Sequence, residues 1–468
     1  MLFWFIKKIR ILFIFSLSLG LLVGCGYNPK HETLPVELSE EWQAAEEATL
    51  EYTAANSDWW RSFQSPDLNK LIARALENSP DLQMAQQRIL QAEAQLGVTR
   101  ANALPHLDAS LGGSLGSSKK SGESASSSKS SNLGLSTSYE IDLWGRVAAE
   151  RAASEATLAS KVYDWHATRL TLTAAVASGW FNWLVADGQQ RNAVWYLQAA
   201  EQQLAFIEAG YKRGSATRVE LARQRKQVLT RQANLKKLTH QKLQANHALA
   251  LLLGESPQQF KPPEAQLMRL TIPRPNPGLP TDILSRRPDL AREEAQLKAV
   301  EANVEVARKA IYPSLNLNAS ARLASDNFSF SDPTQNLSLG ANLVQSIFDF
   351  GKRRRQIELS EARQQEMLLS YYKTVLTALA EVEDALSNEQ LTRELEIQQQ
   401  KLIEENRLIA TNTERLYKAG AEKLTNLLDA QLDELKAEDQ LLELYQNRLN
   451  ASLSLYKVLG GGWKAEIN

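Results

Sequence analysis

The chain has 468 residues, 53 basic against 54 acidic side chains, and one cysteine. A net charge of −1 removes the electrostatic case for a nucleic-acid binder, and 43% hydrophobic content is that of a folded chain. A single cysteine excludes an internal disulfide framework and any CxxC zinc or redox site.

At the N-terminus, Lys7, Lys8 and Arg10 precede an uncharged run from Ile11 to Gly24. The run is short for a helix crossing about 30 Å of hydrocarbon and suits a signal-peptide core. It ends Leu21-Leu22-Val23-Gly24-Cys25, which resembles the bacterial lipobox. Residues 1–24 are therefore expected to be a lipoprotein signal peptide, with Cys25 carrying lipid, palmitate included. Several acyl chains on one cysteine exceed the two-signal threshold for stable anchoring. Gly26 follows Cys25 where inner-membrane lipoproteins carry Asp, which implies the outer membrane. Residues 25–66 read as a lipid-anchored N-terminal segment.

The rest of the chain is written twice. Ser79-Pro80-Asp81-Leu82 returns as Arg287-Pro288-Asp289-Leu290, and Leu104-Pro105 as Tyr312-Pro313. Asp142-Leu143-Trp144-Gly145-Arg146 matches Asp349-Phe350-Gly351-Lys352. Tyr211-Lys212-Arg213-Gly214 matches Tyr417-Lys418-Ala419-Gly420, and Leu252-Leu253-Gly254 matches Val458-Leu459-Gly460. Five landmarks in one order, about 206–208 positions apart, mean duplication of a whole structural half, since solenoid periods are about 20–50 residues. The halves run over 67–254 and 281–460. A Pro-rich connector, 255–280, lies between them, and 461–468 form a tail.

Each half has one grammar. A helix is expected over 67–103 and over 281–311, each ending before a Pro. Two segments of period two follow, about 107–116 and 132–143 in the first half, about 314–324 and 337–348 in the second. Leu133, Leu135, Thr137, Tyr139 and Ile141 take one face, and Gly134, Ser136, Ser138, Glu140 and Asp142 the other. Such strands have one apolar face and one face of small polar groups. Ser-rich loops over 116–132 and 324–336 should join them. Next come Pro-free stretches from Arg146 to Lys212 and from Lys352 to Lys418, each about 100 Å long if helical throughout. A break at Gly214 or Gly420 and a return helix complete the half. In the last return helix Leu428, Leu432, Leu435, Leu442, Leu449, Leu453 and Tyr456 keep 4-3 spacing, with Asp439 and Gln446 in two slots, a coiled-coil-like seam with polar interruptions.

Four strands with an apolar outer face cannot close a barrel alone, and an open edge in lipid is not viable. Outer-membrane barrels have at least about eight strands, so several chains must contribute: three copies give 12 strands, four give 16. The lipobox, the duplicated order, the D-L-W-G-R and D-F-G-K junctions, the Y-x-x-G turns and Leu427-Leu428-Asp429-Ala430-Gln431 together resemble the TolC-type outer-membrane efflux proteins, in their lipoprotein branch. The resemblance implies a mainly α fold with membrane β, in a homotrimer whose 12-stranded β-barrel continues into a long periplasmic α-helical barrel. It also implies a periplasmic adaptor, an inner-membrane pump driven by protons, and passive export of drugs or other small solutes. A protein-secretion channel of type I and a lipid-anchored coiled-coil tether are the alternatives. A tether has no need of strands.

The same resemblance suggests a gate at the Y-x-x-G turns. Asp429 stands where the family carries an acidic constriction residue, and Asn426 replaces a second Asp one turn earlier. Glu220 facing Tyr417 would latch two helical hairpins. Glu422 stands where some relatives have Arg, with Arg218 or Arg213 as its ion-pair partner. Other signals read as packing or solvated charge. Gly112-Gly113-Ser114-Leu115-Gly116 matches a nucleophile elbow but runs into no helix. The five His are scattered, so neither a metal, a cofactor nor an enzyme is expected. Trp180, Phe181, Trp183 and Trp195 read as packing. The run Lys352-Arg353-Arg354-Arg355 reads as a solvated face or a headgroup contact.

Overall fold

The computed structural model describes residues 39–44 and 56–464, apart from 120, 123, 327 and 329–331. The signal peptide, Cys25 and the last four residues lie outside the described residues. The element order is α1 (Pro66–Asn78), α2 (Pro80–Asn102), β1 (His106–Ser118), β2 (Ser126–Ile141), α3 (Arg146–Lys212), α4 (Arg218–Leu252), α5 (Ile283–Arg286), α6 (Pro288–Lys309), β3 (Ser314–Ser325), β4 (Thr334–Val344), α7 (Lys352–Lys418) and α8 (Leu424–Val458).

The single helices expected over 67–103 and 281–311 are each broken. Proline has no N–H and disfavours the α conformation at the residue before it. Ser79, ahead of Pro80, sits at φ −62°, ψ 122°, and Arg287, ahead of Pro288, at φ −101°, ψ 120°. The second half adds a 3₁₀ turn, Pro280–Asp282, before α5. Ser65 caps α1, its Oγ accepting from the Leu68 amide at 3.2 Å.

The four strands form one antiparallel sheet in the order β1-β2-β3-β4. Its registers put Leu107, Leu111, Leu133, Leu135, Tyr139, Leu317, Leu337 and Leu339 on one face. Ser110, Gly134, Ser136, Asn316, Ser320 and Asn336 take the other. The strands differ from the expected bounds. Most of 116–132 is ladder, not loop, because Ser117 and Ser118 pair with Ser127 and Ser126. An antiparallel partner satisfies the backbone even where serine has little strand preference of its own. At the other end β4 stops at Val344, and Gln345 instead donates its side chain to the Ile311 carbonyl at 3.0 Å.

Each long helix spans 67 residues. α3 packs along α4, α7 along α8, and α3 meets α8, giving the lateral order α4-α3-α8-α7. α6 lies against both α3 and α7. The main core gathers midway along the long helices. Phe63 is 0% exposed and packs against Phe181 at 5.4 Å, and Trp59 stacks on Tyr456 at 5.5 Å. Phe260, Leu267 and Leu270 of the connector join them. The end of the 25–66 segment is part of this core. Trp180 and Trp183 stack at 5.2 Å inside the same cluster. Trp195 departs from the packing expectation: it is 63% exposed, with one edge contact to Tyr196.

The repeated Leu-Leu-Gly and Val-Leu-Gly landmarks have a steric origin. Gly254 and Gly460 adopt φ +70° and +85°. A Cβ at Gly254 would stand 2.5 Å from the Asn78 carbonyl oxygen, and one at Gly460 1.8 Å from that of Arg286. No other residue lets the backbones approach so closely.

Candidate functional site

The sheet-to-helix junctions explain two of the sequence landmarks. Asp142 accepts from the amides of Val147 and Ala148 at 3.1 and 2.8 Å, capping α3. Asp349 accepts from Gly351 and Arg353 at 3.0 and 3.2 Å and caps α7. Each carboxylate satisfies orphan N–H groups and complements the helix dipole. Trp144 stacks on Tyr312 at 5.0 Å and donates to the Pro313 carbonyl at 2.8 Å, so the first junction is locked onto the second half. Phe350, the counterpart of Trp144, is 91% exposed. Of the basic run, Arg354 and Arg355 share Glu358, and Arg353 pairs with Asp349.

At the far end of the long helices the two Y-x-x-G turns come together. Ile207, Leu221, Leu424 and Leu427 form a small core there, flanked by Leu204, Ala216, Tyr417 and Leu428. Glu220 closes a capping box. Its Oε2 accepts from the Thr217 amide at 2.7 Å, and its own amide donates to Thr217 Oγ1 at 3.1 Å. Burial, aided by the negative charge of Glu220, raises the Tyr417 phenol above its ordinary pKa. Tyr417 and Glu220 are thus electrostatic neighbours, but among the described residues no hydrogen bond joins them. Glu422 accepts from the Lys423 amide and from Asn426, both at 2.8 Å. Among the described residues no ion pair links Glu422 to Arg218 or Arg213. Asp429 is exposed on α8, one turn before Asp433.

The α3–α8 seam holds polar groups that sequence reasoning passed over. The Tyr196 hydroxyl donates to Glu438, whose other oxygen accepts from Arg407 at 3.1 Å. Asn192 donates to Asp439 at 3.3 Å, Gln189 to Glu443 at 3.1 Å, and Gln446 to Asn182. A signal existed: Asp439 and Gln446 were the two polar slots in the leucine spacing, and each meets an Asn of α3. Burial and the bond to Glu438 push the Tyr196 hydroxyl well above its ordinary pKa, so it stays a donor. Burial raises Asp439, with Asn192 opposing and Glu443 and Glu438 adding to the rise. Burial and then Glu438 raise Glu434, against Arg407.

Gly112 to Gly116 lie inside β1, with Ser114 Oγ 2.8 Å from Ser130 Oγ. Among the described residues no group of three or more His, Cys, Asp or Glu could hold a metal ion.

Comparison with known proteins places this architecture. The outer membrane efflux protein family matches residues 71–255 and 279–461. "Pyoverdine export outer membrane protein OpmQ" of Pseudomonas aeruginosa is 39% identical, over 96% of this chain and 97% of that protein. "Probable outer membrane lipoprotein SilC" of Salmonella typhimurium is 28% identical over 95% and 97%. Among solved structures, the open state of the MtrE outer membrane channel of Neisseria gonorrhoeae superposes with a TM-score of 0.82. It is 27% identical and covers 93% of this chain and 98% of its own. The chain belongs to the outer membrane efflux protein family.

Proposed function

We propose that three copies of this chain assemble into one conduit. The twelve strands close a β-barrel in the outer membrane, and the twelve long helices a tube reaching into the periplasm. The observation that carries the reading is the duplication itself. Within one chain β2 pairs with β3, α3 packs on α6 and α8, and Trp144 rests on Tyr312-Pro313. Carried over by the repeat, β4 pairs with β1 of the next copy, α7 packs on its α2 and α4, and Phe350 rests on its Leu104-Pro105. β1 and β4 each have an edge free to do so, and Leu337 and Leu339, 86% and 85% exposed, then face lipid. The contacts between copies repeat those inside a copy, and three copies close the ring.

In this reading Cys25 carries the lipid anchor. An inner-membrane pump hands small solutes to the tube through a periplasmic adaptor, and export through the channel is passive. Closure lies at the hairpin tips. Three Asp429 carboxylates near the axis form a ring that attracts cations. Tyr417, beside Glu220, adjusts how the hairpins meet. That one of the relatives named above is a pyoverdine export protein supports small solutes, rather than protein, as the cargo class. Mass measurement of the purified protein in detergent, followed by planar-bilayer recording, tests the reading. Three mature chains and a discrete channel current are expected. A stable membrane-inserted monomer would refute it.

A further inference from the structure

The polar face of the sheet carries few charges. Asp108 lies beside His106, at 3.5 Å, and Glu140 is held by Arg146 at 2.7 Å. Arg322 is the third charged residue there. It sits in the row Ser110–Gly134–Arg322–Asn336, among partners too small to cover it. It is exposed, and among the described residues it has no ion pair. The row lies towards the β1–β2 and β3–β4 turns, eight residues along β3 from Ser314.

We propose that Arg322 forms a selectivity ring for anionic solutes inside the barrel. The inference rests on the trimeric reading above. Twelve strands about 4.8 Å apart, tilted about 40°, give a backbone radius of about 12 Å, so an extended arginine brings its guanidinium to about 6 Å from the axis. Three such groups stand about 10 Å apart, close to the Debye length of about 10 Å at 0.1 M salt, so their fields overlap across the whole lumen. Asp108, one row nearer the helices, is shorter and stays against the wall, about 9 Å out by the same construction. The innermost charge of the barrel is therefore positive. Rings of basic side chains favour anions in pores, and a guanidinium pairs with carboxylate or phosphate in two-pronged geometry. A solute bearing such groups is drawn through; a polyanion too large to pass is held.

The test uses the purified full-length trimer in a planar bilayer at 0.1 M KCl, with inositol hexakisphosphate added on the side of the β1–β2 and β3–β4 turns. Wild type is expected to be blocked. Arg322→Gln raises the half-blocking concentration about tenfold, and Arg322→Lys keeps it within about threefold. Asn336→Asp sets a carboxylate beside Arg322 without removing it and should weaken block as Arg322→Gln does. Equal block of wild type and Arg322→Gln overturns the ring, as does block unaffected by Asn336→Asp. A wild-type protein that passes no current overturns the channel reading, and the ring with it.

Discussion

In the proposed trimer, opening a tube of helical hairpins disturbs the seams between them, and the α3–α8 seam holds the Tyr196 hydroxyl on Glu438. Tyr196→Phe deletes its bond to Glu438 and leaves Arg407 on the other carboxylate oxygen. A hydrogen bond to a charged group contributes about 1.5–3 kcal/mol. At the lower figure, three copies acting together lose about 4.5 kcal/mol, which shifts a concerted closed-to-open ratio about 2,000-fold; hairpins moving singly shift only about 12-fold each. Resting open probability of purified trimers in bilayers reads the difference directly, and its size separates concerted from independent opening. Unchanged open probability in an intact Tyr196→Phe trimer would refute a gating role for the Tyr196–Glu438 bond. The same seam predicts a pH response. Asp439 and Glu434 are raised by burial, so each favours its protonated form where the seam is closed. Their contribution is full below the ordinary carboxylate range and is lost as pH rises through the raised values. Resting conductance should fall as pH is lowered from 7 toward that range.

Gly460→Ala forces a Cβ to 1.8 Å from a carbonyl oxygen and should cost about 3 kcal/mol or more, whereas Gly214→Ala, with nothing within 4 Å, pays only about 1 kcal/mol for its positive φ. Trimer melting temperatures that drop equally in the two variants would contradict the close-approach argument. Leu104→Cys combined with Phe350→Cys should oxidise into dimer and trimer bands in membranes; bands at the monomer position only would rule out the proposed neighbour contact. Radiolabelled palmitate should enter the wild type but not Cys25→Ser, and equal labelling would remove the lipid anchor from the scheme.

The long helices were legible to the residue because nothing between Arg146 and Lys212, or between Lys352 and Lys418, interrupts a helix. Leucine alternation set the strand faces, and the registers agree. What was misread followed from partners that sequence does not display. The serines of 126–131 have no strand preference of their own and are ordered by the facing strand. Ser79-Pro80 and Arg287-Pro288 were noted only as repeat landmarks within single expected helices, whereas each proline ends one helix and opens the next. Trp59, Trp60 and Phe63 precede every periodic segment, so no pattern marked them as core. At the helical tips, the capping box of Glu220 with Thr217 was overlooked, although Thr217 stands three residues before it. The Tyr196–Glu438 bond joins residues 242 apart and had no local signature.

The exposed leucine face of the sheet and its two open edges also govern how the protein is made. In water, an isolated copy would present a sticky template at β1 and β4, able to recruit any extended chain. Its long helices carry no such hazard, since their backbone hydrogen bonds close within each helix and form quickly. The helices should therefore be in place while the strands are still unpaired, and the strands should zip only where three copies meet a bilayer. Yield then depends steeply on the local concentration of chains during transit. A chaperone that shields short apolar strands, or a lipid leash that gathers copies on one surface, would raise that yield without touching the finished channel.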